Sequence, residues 1–176
     1  VLEKSIAIGT ETSSRSSDVI HAGIYYQPNS WKARLCVAGK VALYRYCEEH
    51  EINHKRCGKL IVAKSDGEID RLWSLQESAI KNGVNDLQRL NGTAALSLEP
   101  ELNCVAALLS PSTGIIDSHS LMFAYQGDLE AHGGVIAFGS EVRGGRIRGD
   151  SIVLELGGLV PLQLSCSMVV NSAGLY

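Results

Sequence analysis

Apolar residues recur at three-to-four spacing from Ser30 to about Glu51, at Trp31, Leu35, Ala38, Ala42 and Tyr46. That spacing predicts an amphipathic helix with one buried stripe, and Ser30 is a suitable N-cap. A second helix is expected from Asp66 to about Asn82, with Ile69, Leu72, Trp73, Gln76 and Ile80 on one face and Gly83 ending it. A short helical turn fits Asn91 to Leu98, and a third helix fits Ser118 to His132, stopped by Gly133-Gly134. Continuous apolar runs predict strands at Arg56–Ala63 and Val105–Leu109. From Val135 to Val170 the period shortens. One strand is expected over Val135–Phe138 and Ser140–Val142, two more at Arg146–Arg148 and Ile152–Leu156, and a fourth from Leu162 to Val170. The pattern is α+β: a mixed or antiparallel sheet with helices largely on one face, followed by a β-meander.

Composition narrows the class. The chain has 176 residues, 45% of them hydrophobic and 20% charged, which are globular values. A net charge of −3 without a basic run argues against a nucleic-acid partner. No apolar stretch approaches the roughly 20 residues of a membrane helix. Five cysteines at wide spacings, none in Cys-x-x-Cys, read as reduced and mostly buried thiols of a cytoplasmic protein. Asn91-Gly92-Thr93 matches a glycosylation sequon, which counts only in a secreted protein.

Candidate chemistry concentrates near the N-terminus. Thr12-Ser13-Ser14-Arg15-Ser16-Ser17 offers small hydroxyl donors and a guanidinium, groups suited to phosphate or carboxylate. Val19-Ile20 then bury, His21 presents an imidazole, and Ala22-Gly23 leave no bulk beside it. On pattern alone this is a loop followed by a core histidine. His50-Glu51-x-x-His54 has the spacing of a zinc-protease helix, but the helix is expected to end near Glu51, so no metal site is expected. Lys32 and Arg34 oppose the dipole of the first helix and face either solvent, the preferred reading, or an anion.

These stretches resemble a known family. Ser13-Ser14-Arg15-Ser16-Ser17, Val19 through Tyr26, Lys32-Ala33-Arg34-Leu35-Cys36 and Arg56 through Val62 carry the likeness. It continues in Leu98-Glu99-Pro100, Ser110 through Asp117 and Val169 through Tyr176. Together they resemble FAD-dependent oxidoreductases of the D-amino-acid-oxidase superfamily, in the L-2-hydroxyglutarate dehydrogenase/oxidase branch. The resemblance implies FAD and a small 2-hydroxy acid substrate, with oxygen or a quinone as electron acceptor. Other small substrates, an amino acid, an amine or glycerol 3-phosphate, stay open, and so does peripheral association with the inner membrane. It places Glu3 as the acid that accepts from the adenosine ribose. Thr12, Ser13, Ser14, Arg15 and Gly23, with backbone near Val142, Ala173 and Gly174, are the further cofactor-binding candidates. His21 is the candidate base, because an imidazole titrates near neutral pH. Residues 1–30 then read as part of an FAD-binding segment, 31–134 as a substrate-side domain, and 135–176 as a meander and returning strand of the FAD-binding layer.

The sequence contains no Gly-x-Gly, so the dinucleotide fingerprint is absent. The chain therefore reads as a piece of a longer flavoenzyme. Taken alone, residues 1–176 are expected to bind FAD weakly or not at all, and to act as an inactive structural and substrate-contacting module.

Overall fold

A computed structural model describes residues 1–158 and 161–174. The chain forms two compact units, one of residues 17–117 and one joining residues 1–16 with those from Ser118 onward.

The 17–117 unit runs in the order β1 (Val19–Ile20), α1 (Trp31–Glu49), β2 (His54–Lys55), β3 (Leu60–Ala63), α2 (Ile69–Lys81), β4 (Gln88–Asn91), α3 (Gly92–Leu98), β5 (Ala106–Leu109) and β6 (Gly114–Ile116). Its strands make two antiparallel sheets, ordered β3-β5-β4 and β1-β6-β2. β5 is central and explains its own composition. Ala106 and Leu108 enter the main core with Leu72 and Ala79 of α2 and with Ala63, Val84 and Leu87. Ala107 points the other way, against Ala95 of α3 and Cys104. Alternate residues of a strand face opposite sides, so a strand covered on both faces is apolar throughout.

α1 begins as the sequence predicts: the Ser30 hydroxyl accepts from the Ala33 amide at 3.1 Å. Its buried face is not the expected one. Trp31 and Leu35 are 74% and 64% exposed, whereas Ala33, Tyr44 and Cys47 are buried and Val37 packs on the core. The inward row is 33, 37, 40, 44 and 47, equally helical in spacing but interrupted by Lys40. That lysine lays its stem inward and donates from Nζ to Ser112 Oγ at 2.7 Å. In α2 the expected inward Ile80 is 51% exposed, and the buried positions are Leu72 and Ala79.

Two strand expectations shift in this unit. The Arg56–Ala63 run is strand only from Leu60, because Gly58 turns the backbone at φ +76°. β4 is an additional edge strand with the polar sequence Gln88-Arg89-Leu90-Asn91. Its last residue also caps α3, since Asn91 Oδ1 accepts from the Ala94 amide at 2.8 Å.

The other unit contains a 3-10 turn at Thr12–Arg15 packed on α4 (Ser118–Ala131), then a meander of β7 (Val142–Arg148), β8 (Ser151–Leu156) and β9 (Leu162–Cys166). Gly149, at φ +60°, and Asp150 form the two-residue β7–β8 turn, a setting that favours positive φ. Arg146 bonds Glu155 and reaches Gln163 at 3.3 Å, tying the three strands on one face. The expected strand over 135–142 is absent. Ala137 makes only an isolated parallel bridge to Leu2, and Gly139 at φ +65° breaks the run. The last strand stops at Cys166 rather than Val170. Leu175 and Tyr176, which close the resembling C-terminal run, lie outside the described residues.

All five cysteines are free thiols, with Cys47 and Cys104 buried and Cys57 exposed. Among the described residues no helix is long and apolar enough to cross a membrane.

Leu108 is fully buried between β3 and β4, so Leu108→Ala should lower the unfolding free energy by about 2–5 kcal/mol. Ile147 is 83% exposed, and Ile147→Ala should change it by less than about 0.5 kcal/mol. Urea denaturation of the two variants checks this; equal effects would contradict the assigned core.

Candidate active site

The imidazole of His21 is set where β1 ends. β1 pairs with β6 through Val19–Ile115 and Ile20–Gly114. Beyond it the side chains alternate, with Ala22 and Ile24 buried and His21 and Tyr25 exposed. Gly23 sits at φ +96°, and a Cβ there would stand 2.8 Å from Val37 Cγ2 of α1. Its missing side chain is thus filled by helix packing. Asn82, at the end of α2, donates from Nδ2 to the carbonyls of Gly23 at 3.3 Å and Tyr26 at 2.8 Å. Cys36 Sγ donates to the His21 carbonyl at 3.5 Å. Two helices therefore clamp the backbone while the ring stays exposed.

The facing wall comes from the β5–β6 loop and the start of β3. Lys59 and Ser110 exchange backbone hydrogen bonds at 3.1 and 2.8 Å, and the Gly58 amide donates to the Thr113 carbonyl at 3.0 Å. Ser110 and Thr113 are buried polar side chains and satisfy each other, Oγ to Oγ1 at 2.8 Å. Tyr44 of α1 donates from its hydroxyl to the Ser112 carbonyl at 3.2 Å. A Cβ at Gly114 would collide with the Tyr44 hydroxyl and the Lys55 carbonyl.

These walls enclose a recess of about 10 Å³ lined by His21, Gly23, Tyr25, Tyr26, Lys59 and Thr113. That is room for one water-sized group. Lys59 Nζ lies 4.6 Å from the centre of the Tyr25 ring. Beside it runs an open groove of about 750 Å³, which shares Tyr25 and Tyr26 and continues past Ile61, Leu72, Leu75 and Arg71. Burial pushes the Tyr26 hydroxyl above its ordinary pKa, and neighbouring Cys36 adds to this. Burial likewise raises the Cys36 thiol, with the Tyr26 hydrogen bond, Lys40 and Lys32 pulling the other way. The recess lining thus includes an exposed histidine and a half-buried lysine, residue types that can accept a proton and attract an anion.

The other candidates from the sequence lie in the unit that begins at Val1. Glu3 Oε1 accepts from the Ser5 amide at 2.7 Å, and its own backbone pairs with Ala137 and Ser140. Thr12, Ser13, Ser14 and Arg15 are exposed along the 3-10 turn. Ser14 Oγ and Arg15 Nη1 both donate to the Glu11 carbonyl, at 2.8 and 3.2 Å. Val142 opens β7 and is 47% exposed. The Ala173 amide donates to Asn171 Oδ1 at 3.0 Å, and Gly174 sits at φ +80° with nothing within 4 Å of a would-be Cβ. Only His21 and Gly23 of the named candidates belong to the 17–117 unit.

The His-x-x-x-His spacing does not build a helical pair. α1 ends at Glu49, and Glu51 turns the chain at φ +54°. The His50 ring stacks on Tyr46 at 3.9 Å, whereas His54 Nδ1 bonds the Ile52 carbonyl at 2.8 Å. No cluster of three or more His, Cys, Asp or Glu among the described residues is gathered to hold a metal. Lys32 and Arg34 are both exposed, each near an aromatic ring. Sequence reasoning missed Lys59, Thr113 and Lys40. Lys59 had a local signal, a lysine directly after a glycine turn, but its place beside His21 depends on pairing with Ser110.

The chain matches the family described as FAD dependent oxidoreductase (DAO) over residues 1–176, and it belongs to that family. Among curated relatives, it is 39% identical to the mitochondrial L-2-hydroxyglutarate dehydrogenase of Arabidopsis thaliana, covering 99% of this chain and 42% of that protein. It is 36% identical to the mitochondrial human enzyme of the same name, covering 100% and 40%. With the L-2-hydroxyglutarate dehydrogenase of Escherichia coli K12 the values are 32%, 99% and 41%. The chain therefore spans about two-fifths of the length of these relatives. Among solved structures, FAD-bound L-alpha-glycerophosphate oxidase of Mycoplasma pneumoniae superposes with a TM-score of 0.82 at 25% identity, over 91% of this chain and 44% of that one. Glycine oxidase of Geobacillus kaustophilus shares the fold, with a TM-score of 0.80 at 20% identity, over 94% and 46%.

The upward shift of the Cys36 thiol leaves less thiolate at any given pH than an ordinary cysteine has, and the thiolate is the reactive form. Iodoacetamide should modify exposed Cys57 well before half-buried Cys36, and Cys36 labelling should accelerate only on the alkaline side of the usual thiol range. Peptide mass spectrometry over time and pH measures both rates. Cys36 reacting first at neutral pH would contradict the burial argument.

Proposed function

We propose that this chain is part of an FAD-dependent oxidoreductase that oxidises an L-2-hydroxy acid, first of all L-2-hydroxyglutarate, to the 2-oxo acid. One observation carries the reading: an exposed histidine on a doubly clamped backbone, lining a recess whose wall also includes Lys59. The relatives named L-2-hydroxyglutarate dehydrogenase support the substrate.

The donor chemistry present fits FAD. Thr12, Ser13 and Arg15 keep exposed polar groups, and the open backbone at Gly174 allows close approach of a ligand. In this reading those residues, with Glu3, Ser14, Val142 and Ala173, hold the dinucleotide, and FAD when bound supplies the hydride acceptor. His21 takes the hydroxyl proton of the substrate. Cys36 and Asn82 fix the main chain on either side, so the ring needs little reorganisation to receive it. Gly23 serves this arrangement by letting Val37 pack beneath the turn. Residues 1–30 and 135–176 belong to the FAD-binding layer and 31–134 to the substrate side. Electrons leave to oxygen or a quinone, and the groove walled by Tyr25 and Tyr26 lies next to the recess.

Steady-state assays on the full-length protein test the reading, comparing L-2-hydroxyglutarate with its D enantiomer, glycine and glycerol 3-phosphate. The L-hydroxy acid should be preferred by kcat/KM. His21→Ala should lower kcat by about 10²–10⁴-fold while flavin content and Tm stay close to wild type. A preference for glycine or glycerol 3-phosphate would refute the substrate, and a folded, flavin-loaded variant turning over at the wild-type rate would remove His21 from catalysis.

A further inference from the structure

We propose that Lys59 is the residue that seats the substrate carboxylate beside His21, and so selects a hydroxy acid over a neutral alcohol. This rests on the oxidoreductase reading above. The cations near the recess differ in what they already hold: Lys32 is exposed, with Nζ 4.9 Å from the centre of the Tyr26 ring. Lys40 is committed to Ser112 Oγ at 2.7 Å, and the Arg56 guanidinium lies 4.0 Å over the Tyr44 ring. Lys59 is half-buried, its ammonium has the Tyr25 ring at 4.6 Å, and no carboxylate among the described residues pairs with it. An ammonium without a carboxylate partner among the described residues is open to an incoming anion, and the attraction strengthens as the pair leaves open water.

The backbone supports the assignment independently of the charge. Gly58 turns at φ +76°, and Lys59 is then locked by two hydrogen bonds to Ser110. The buried Ser110 and Thr113 hydroxyls on that wall share one hydrogen bond. The Lys59 and His21 side chains are the nitrogen groups that this lining offers a ligand, beside the hydroxyls of Tyr25 and Tyr26. The recess admits one water-sized group, such as a single carboxylate oxygen, and the adjoining groove leaves room for the rest of the substrate. A 2-hydroxy acid carries its carboxylate on the carbon next to the hydroxyl. With one carboxylate oxygen seated at Lys59, the hydroxyl on the next carbon stays close to the base that shares that lining.

The test uses the full-length flavin-loaded protein and the variants Lys59→Met and Lys59→Arg. Malonate, which cannot react, serves as a binding probe read by perturbation of the flavin spectrum. Lys59→Met should weaken malonate binding and raise KM for L-2-hydroxyglutarate, each by roughly 10–100-fold, with kcat changed only a few-fold. Lys59→Arg should restore most of both, since the charge is kept. Wild-type protein should use the amide of the substrate's C1 carboxylate with a KM raised to a similar extent, which needs no variant to fold. Unchanged malonate affinity in a Lys59→Met protein of wild-type Tm would overturn the assignment, as would an amide used as well as the acid. If the wild type oxidises no 2-hydroxy acid yet binds malonate through Lys59, the functional reading fails and the anion site stands.

Discussion

There is no room for a side chain at Gly114. The β6 backbone lies against the Tyr44 hydroxyl on one side and the Lys55 carbonyl on another, so a single methyl would push α1 and β2 away together. Much of the 17–117 unit follows from this contact. It lets β6 stand between β1 and β2, and it brings Tyr44 near enough to hold the Ser112 carbonyl. The loop held in this way fixes Lys59 through Ser110, while β6 fixes the strand that ends at His21. A glycine chosen by packing thereby aligns the two walls of the recess. Gly23 repeats the device, trading its side chain for Val37. Close-packed interiors transmit such constraints because they have few voids to absorb a shift.

Local signals were legible in the sequence wherever local chemistry decides the structure. Ser30 and Asn91 cap helices as small polar residues should, and the breaks at Gly83 and Gly133 fall where turns with positive φ are needed. The apolar runs at 60–63 and 106–109 are strands, and the meander follows its short period. The failures share a cause, which is that burial is settled by partners distant in sequence. α1 has two rows of helical spacing, and Lys40 disguised the inward one because its partner, Ser112, lies 72 residues away. β4 is strand because β5 has an open edge for it, although Gln88-Arg89-Leu90-Asn91 has little strand character of its own. Residues 135–138 have that character but find a partner only at Leu2.

The site divides along the same line. His21 stood out through its small neighbours and through likeness to a family to which the chain belongs. Its surroundings did not stand out, because Lys59 and Thr113 reach it by way of strand pairing. The space beside the imidazole that Gly23 leaves free of bulk is filled by Val37 of α1. The hydroxyl-rich segment 12–15 is exposed and capped on its own Glu11 carbonyl, an arrangement that keeps short donors near the surface without burying unsatisfied groups.

A proton acceptor at His21 and an anion seat at Lys59 are the two roles proposed for this chain in a flavoenzyme acting on an L-2-hydroxy acid. Anaerobic rapid mixing of the full-length protein with L-2-hydroxyglutarate tests this reading most directly, because it isolates the reductive half-reaction from any acceptor. Saturable bleaching of the visible flavin absorbance is expected within the time of one turnover, with one 2-oxo acid formed per flavin, and none with the D enantiomer. A flavin that stays oxidised with the L-hydroxy acid but bleaches with an amino acid or glycerol 3-phosphate would contradict it.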